Sequence, residues 1–311
     1  MPNINGDQPP HRRIAIGRFT CNICGAANAS AADLNDRERA SCEVCQSSLR
    51  TRSVILALSR ALFGMDLSLP GFPTLKTVRG LGLSDSDTYA GGLQTRFDYK
   101  NTFYHRAPGF DLSQPDPTEF GKYDFVICSE VLEHVQGDVD RVFQTLARLL
   151  KPTGVLILTV PYSFIDATIE NFASLHETGL AQVGSSTVLV NRSASGQYEV
   201  FDRLVFHGGD GATLELRTFS EADLRAKLIA AGLPNIRFDA TGCRKFGVVF
   251  SGPQSLPIVA AKEPFVLDSA GVNELLEEWA ATRRALQAVK DSRWLRLGRL
   301  FGLGPKVRLP E

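Results

Sequence analysis

With 311 residues and 43% hydrophobic content, the chain has apolar material for a large core and room for one domain with appendages or for two. Lysine plus arginine and aspartate plus glutamate balance at 34 each, so no global field draws in nucleic acid; this disfavours an RNA substrate without excluding one. No stretch approaches the ~18 consecutive apolar residues of a membrane span. Met1–Arg13 is polar, with Pro9-Pro10 and no apolar core, which fits neither a signal peptide nor an anchor. The expected location is cytoplasmic, with residues 1–15 a disordered amino terminus.

The first motif is a pair of cysteine knuckles. Cys21-Asn-Ile-Cys24 and Cys42-Glu-Val-Cys45 are separated by seventeen residues, the spacing of a four-thiolate zinc site. Gly25 follows the first pair, where such a knuckle requires positive φ. A cytosolic setting disfavours two disulfides, while redox chemistry and an iron–sulfur cluster remain as alternatives. With all four positions taken by protein, zinc here would be structural. Cys128 and Cys243 lie in apolar strand patterns and read as core cysteines. The second knuckle runs into Ser47-Ser48-Leu49-Arg50-Thr51-Arg52 and a helical run, Val54–Phe63. From Arg12 to Arg60 there are eight basic and four acidic residues. They make either a solvated surface or a patch for an anionic substrate or the edge of a cofactor, with Arg50 and Arg52 as candidates.

Leu75–Leu81 reads as the first strand of a sheet, and Gly80 and Gly82 follow as Gly-x-Gly with Ser84 two residues on. A second strand is expected to end near Phe97-Asp98-Tyr99, where a carboxylate suits ribose hydroxyls. Asp98 is either that ligand or an exposed turn aspartate. Tyr123–Cys128 is an apolar run of the kind a strand buried on both faces needs, and Ser129-Glu130 places a carboxylate at its end. Val139, Val142, Phe143, Leu146, Leu149 and Leu150 recur at helical spacing, Lys151–Gly154 ends the helix, and Val155–Val160 is the next buried strand.

The string SEVLEHV followed by RLLKPTGVLILTVP resembles the second half of a class I S-adenosylmethionine (SAM)-dependent methyltransferase, and CEVCQSSLRTR resembles a zinc-ribbon lead-in to some bacterial methyltransferase domains. The resemblance covers the cysteine segment and most of residues 65–252. It implies a Rossmann-like α/β fold with a seven-stranded sheet, an amino-terminal zinc ribbon over 16–62, and SAM as cofactor. It further implies that Gly80 and Gly82 belong to the cofactor loop, although the usual acid is Val78 and the third glycine is Ser84. Asp85 or Asp87 is a candidate replacement for that acid. Asp111, with Leu112, falls where the superfamily contacts adenine. Ser129, Glu130 and His134 fall in the loop that borders the methionine end of the cofactor.

Beyond Pro161 the pattern changes. Tyr162–Gly184 reads as a lid or helical insertion, and Val188–Asn191, Gln197–Phe201 and Leu204–Phe206 as strands. Ser220 with Asp223 opens an amphipathic helix that Gly232 closes. Ile236–Phe238 and Gly247–Phe250 are the expected terminal strand pair. The segment FHGGDGATLELRTFS resembles a subgroup of these enzymes associated with polysaccharide biosynthesis, which implies a glycan or small-molecule acceptor, methylated on a sugar hydroxyl. A hydroxyl must lose its proton as methyl transfer proceeds, so His207 and His176 are candidate bases. Each equally suits a hydrogen bond within a loop, and in-line positioning alone can supply much of the rate.

Residues 253–270 read as a proline-bearing linker, and 271–311 as an amphipathic helical tail with Trp294, Leu297 and Phe301 among Arg293, Arg296 and Arg299. Such a tail suits docking on the domain or a partner subunit, or peripheral contact with an anionic membrane. Two rivals accompany the glycan reading. In one, the ribbon grips RNA as the methylation substrate. In the other, the chain is a non-catalytic scaffold on a methyltransferase fold, a reading supported by the altered Gly80–Ser84 loop.

Overall fold

The computed structural model describes residues 17–29, 37–172, 175–207, 213–252 and 255–264, with isolated positions at 285, 288, 289 and 292. Contacts divide the chain into two units, 1–61 with 65–265, and 62–64 with 266–311. The expected tail over 271–311 and the amino terminus over 1–15 lie outside the described residues, apart from those isolated positions.

The first unit begins with the cysteine module. β1 (Phe19–Thr20) pairs antiparallel with β2 (Ala27–Asn28), and α1 (Leu49–Phe63) follows the second knuckle. Ser48 and Thr51 start α1 by exchanging hydrogen bonds between backbone N–H and side-chain oxygen, which satisfies donors a helix start leaves open.

The α/β core then runs β3 (Leu75–Leu83), α2 (Asp87–Arg96), β4 (Phe97–Thr102), β5 (Tyr123–Ser129), α3 (Val139–Leu149) and β6 (Leu150–Thr159). Asp138 caps α3 through Asp140 N and Arg141 N. Val142, Phe143, Leu146 and Leu149 bury the stripe their spacing foretold.

Next come β7 (Tyr162–Ser163), β8 (Ile169–Glu170), β9 (Glu177–Val183), β10 (Ser186–Arg192) and β11 (Tyr198–Phe201). They are followed by β12 (Phe206–His207), β13 (Thr213–Leu214), β14 (Arg217–Ser220), α4 (Glu221–Ala230), β15 (Asn235–Phe238) and β16 (Ile258–Ala261).

The main sheet has the order β15-β16-β6-β5-β3-β4. β4, β3, β5 and β6 are parallel; β16 runs antiparallel to β6 and β15 antiparallel to β16. The sheet therefore has six strands where seven were expected. Among the described residues, β4 is followed by a single parallel bridge, Phe103 to Gly109. The intervening chain turns back too soon to extend the ladder.

Two further expectations are corrected. The last strand of the sheet is Ile258–Ala261, fully buried between β6 and β15, and not Gly247–Phe250. The domain therefore runs past 252, and the expected linker contains a central strand. Its four apolar residues are too few for periodicity to mark them among the flanking prolines. The Tyr162–Gly184 segment holds no helix among its described residues. Glu177–Val183 instead pairs with β10, which pairs with β11, in an antiparallel meander. The Ser220 cap of α4 and the turn at Gly232 (φ +89°) stand as expected.

Candidate active site

The carboxyl ends of β3, β4, β5 and β6 lie side by side, the place where open α/β sheets bind ligands. β5 ends at Ser129, whose hydroxyl meets that of Thr159 at the end of β6 at 2.8 Å. Glu130 follows in a left-handed conformation (φ +55°), with its N–H donating to the Thr159 carbonyl. One carboxylate oxygen, Oε2, accepts from Arg37 Nη2 at 2.5 Å; the other, Oε1, is buried without a partner. Glu133 is fully buried three residues on, and neither of its oxygens has a hydrogen-bond partner. Burial, reinforced by the Glu130 carboxylate, holds the Glu133 carboxyl well above the usual carboxylate range. His134 Nδ1 meets the Leu214 carbonyl at 2.9 Å.

Arg217, on β14, holds this acidic loop. Its guanidinium is buried and donates to the carbonyls of Leu132 (2.8 Å) and Val135 (2.6 Å) and to Glu170 (2.8 Å). Sequence reasoning passed over Arg217, although the LELRTFS string contains it.

A second buried acid sits at the end of β3. Asp85 accepts from the Tyr99 hydroxyl, and its backbone exchanges hydrogen bonds with the Asn101 side chain. Burial pushes its carboxyl up to about 7, against the Tyr99 hydrogen bond, which pulls down. Of the two proposed replacements for the missing acid, Asp85 is the buried one. A groove of about 530 Å³ along β4 and α2 shares Tyr99 and Asn101 with this cluster and is also lined by Asp87, Lys100, Phe103 and Pro108.

Several site residues stand elsewhere than expected. Asp98 begins β4, where a strand end was foreseen, because α2 occupies the preceding ten residues. It is exposed at the opposite end of the sheet from Glu130 and pairs with Arg79. Gly80 and Gly82 lie inside β3, not in a loop. A Cβ at Gly80 would overlap the Phe125 ring, and one at Gly82 the Tyr99 hydroxyl and Asp85, so packing accounts for both. The turn itself is Ser84 (φ +59°), Asp85 and Ser86, and Ser86 caps α2. Asp111 bonds Ser113 in a local turn, and Leu112 is buried in the core. Cys128 is a fully buried core cysteine, whereas Cys243 precedes a 3₁₀ turn and not a strand. His176 is exposed; its N–H donates to Asn191 Oδ1, and its carbonyl accepts from Gln136 just past the acidic loop. His207 pairs with Thr213 in β12.

The cysteine module meets the sheet here. All four sulfurs lie within 4.8 Å of one another. Cys21 and Cys45 are 3.7 Å apart and Cys24 and Cys42 3.6 Å, against about 3.8 Å between sulfurs on a tetrahedral ion with Zn–S near 2.3 Å. Gly25 (φ +79°) and Gln46 (φ +58°) turn the two knuckles. The set fits one tetrahedral metal. Arg52, expected as a ligand-binding candidate, is instead fully buried. It donates to the carbonyls of Ser47 and Gly247 and to Ser41 Oγ, and stacks on Phe19. Arg50, two residues earlier, reaches the sheet, with Nη1 donating to Ser129 Oγ at 2.7 Å. Arg37 bridges Glu130 and the Ser255 carbonyl. No spacing or periodicity marked Arg37.

Residues 85–192 match the family model of a methyltransferase domain. No curated protein matches the sequence. Among solved structures, a SAM-dependent methyltransferase from Clostridium acetobutylicum ATCC 824 is 13% identical, with 68% of this chain and 89% of that chain covered and a TM-score of 0.40. The sugar N-methyltransferase KedS8 from Streptoalloteichus sp ATCC 53650 is 15% identical, with 69% and 87% covered and a TM-score of 0.39. The 1,6-didemethyltoxoflavin-N1-methyltransferase of Burkholderia thailandensis is 16% identical, with 70% and 78% covered and a TM-score of 0.36. Among the described residues no helix is long and apolar enough to cross a membrane. From the loop that holds Asp85 through β10 the chain carries a methyltransferase domain, and the match supports a SAM-dependent methyltransferase.

Proposed function

We propose that this domain binds SAM at the carboxyl ends of β3, β4 and β5 and methylates a sugar hydroxyl on a glycan or its lipid- or nucleotide-linked precursor. The observation that carries the cofactor site is the pair Glu130 and Glu133 at the ligand-binding end of the sheet, where Glu130 Oε1 and both oxygens of Glu133 are buried without a hydrogen-bond partner among the described residues. SAM, when bound, supplies the methyl group on a positively charged sulfur, and buried carboxylates suit that charge and the neighbouring ammonium. The groove beside Asn101 has the volume of a small-molecule site and adjoins the Asp85 cluster.

The sugar acceptor rests on the resemblance of the Phe206–Ser220 segment to enzymes of polysaccharide assembly. An attacking hydroxyl must release its proton, and His176, tethered through Gln136 to the end of the acidic loop, and His207 are the candidate acceptors of it. The four cysteines hold a structural zinc ion. The RNA reading needs the arginines of the cysteine module on an open basic face; Arg52 is instead buried, and Arg37 and Arg50 turn toward the sheet. The scaffold reading leaned on the altered glycine loop, but Gly80 and Gly82 belong to a strand, so the alteration is not decay of a loop.

The test is calorimetric titration of the zinc-loaded chain with SAM and S-adenosylhomocysteine, beside a Glu130→Ala variant. Labelled methyl transfer to nucleotide sugars, lipid-linked glycans and RNA follows. Micromolar binding that the variant loses, with label entering a sugar, is the expected result. Absence of binding by folded wild type would sink the cofactor site, and label in RNA would overturn the acceptor.

A further inference from the structure

The meander of β9, β10 and β11 has two edges, and they differ. β11 is four residues long and carries Glu199, the short, charged form in which edges are ordinarily protected. β9 has no such protection. It pairs with β10 through seven unbroken residue pairs, from Glu177 against Arg192 to Val183 against Ser186, and with no other strand among the described residues. All seven of its residues are exposed. It contains no proline and no lysine, and its single charge, Glu177, is paired with Arg192 at 3.0 Å. A backbone edge of this length and composition is a template for another strand.

The side chains say which strand it fits. Residues directly opposite each other share a face of a sheet, so Leu180 lies on the face of Leu189 and Phe201. That face is apolar: Leu189 is buried with Phe172 and Leu216, and Phe201 packs against them. Leu180 extends the row beyond this cluster and is 55% exposed. It is also the middle residue of β9. A two-fold axis through Leu180 lays β9 antiparallel on β9 of a second copy. Leu180 then meets Leu180, Gly179 meets Ala181, Thr178 meets Gln182 and Glu177 meets Val183. Odd-numbered residues meet odd and even meet even, so each face continues across the junction with its character kept. The Leu180 pair joins the two apolar rows, and no charge of β9 meets a like charge. On the other face Val183, 63% exposed, comes to lie beside the stem of Glu177. Glu177 borders a groove of about 540 Å³ that Gly179, Ala181, Val190 and Tyr198 also line. We propose that β9 is the contact of a homodimer, in which two meanders join as one six-stranded antiparallel sheet. Such a contact is self-complementary and closes at two copies.

The experiment measures the oligomeric state of the full-length, zinc-loaded chain by sedimentation velocity over about 1 to 100 μM. Wild type is expected to be a dimer within that range. Leu180→Lys sets two ammonium groups face to face at the axis and should raise the dissociation constant of the dimer at least about tenfold, with an unchanged melting temperature for the monomer. Wild type that stays monomeric, or a dimer that Leu180→Lys leaves intact, overturns the proposal. Monomeric wild type that sediments with anionic vesicles gives the edge a different occupant and overturns it equally. The register has its own test. Leu180→Cys places two thiols opposite each other, with Cα atoms about 5 Å apart and so within disulfide reach, and should cross-link on mild oxidation above the wild-type background. Gln182→Cys faces Thr178 of the second copy and should not. Equal cross-linking by the two variants, or none by Leu180→Cys, overturns the pairing. If Leu180→Lys fails to fold by circular dichroism, the two cysteine variants decide.

Discussion

The Arg217 guanidinium donates to the Leu132 carbonyl at 2.8 Å, across 85 residues of sequence. With its second bond to Val135, it fixes the turn that presents Glu133 and His134. Arg217→Met keeps much of the side-chain volume but removes both bonds and leaves two carbonyls short of a donor. Removal should cost about 3 kcal/mol of stability and weaken S-adenosylhomocysteine binding by the remaining folded protein. Urea denaturation and calorimetry check this; a variant as stable as wild type would mean the loop is held by its own turn.

Gly80 faces the Phe125 ring inside the sheet, and Phe125 is fully buried. Gly80→Ala should therefore destabilise the fold by about 2 kcal/mol through overpacking, while the folded fraction keeps its cofactor affinity. A drop in affinity without loss of stability would restore the glycine to the cofactor loop.

Asp85 makes stability depend on pH. Its folded carboxyl titrates near 7, against about 3.9 in an unfolded chain. Because the folded value is raised, its contribution is fully present below pH ~4 and is lost as pH rises through ~7, at up to about 1.4 kcal/mol per unit. Asp85→Asn removes the titration. The stability of wild type relative to this variant should fall across pH 4 to 7 and level off above. A difference that stays flat over that window would show that Asp85 is charged in the folded protein.

Metal analysis should find about one zinc ion per chain, as four converging thiolates require. Cys24→Ser should lose the ion and melt at lower temperature, with Arg50 and Arg37 loosened and cofactor affinity reduced. Full zinc content in that variant would break the four-ligand assignment.

The sequence by itself determined whatever is set by short-range pattern. The two Cys-x₂-Cys knuckles, the buried stripe of α3, the Tyr123–Cys128 strand ending at Ser129-Glu130, and the Ser220 cap were legible because each depends on neighbours within a few residues. The strands that fail this test were misread. Ile258–Ala261 is four apolar residues between prolines, and only pairing with β6 and β15 makes it the centre of a sheet. Asp98 changed ends of its strand because the extent of α2 depends on packing that no local pattern records. The site was the least legible part. Arg37, Arg50 and Arg217 meet the acidic loop from 93, 79 and 85 residues away, and a sequence carries no sign of which buried charge will find which partner. Tertiary structure decided that Arg52 packs against the cysteine module while Arg50, two residues earlier, reaches the sheet. On a helix, residues two apart point in different directions, and only docking fixes which side faces the site.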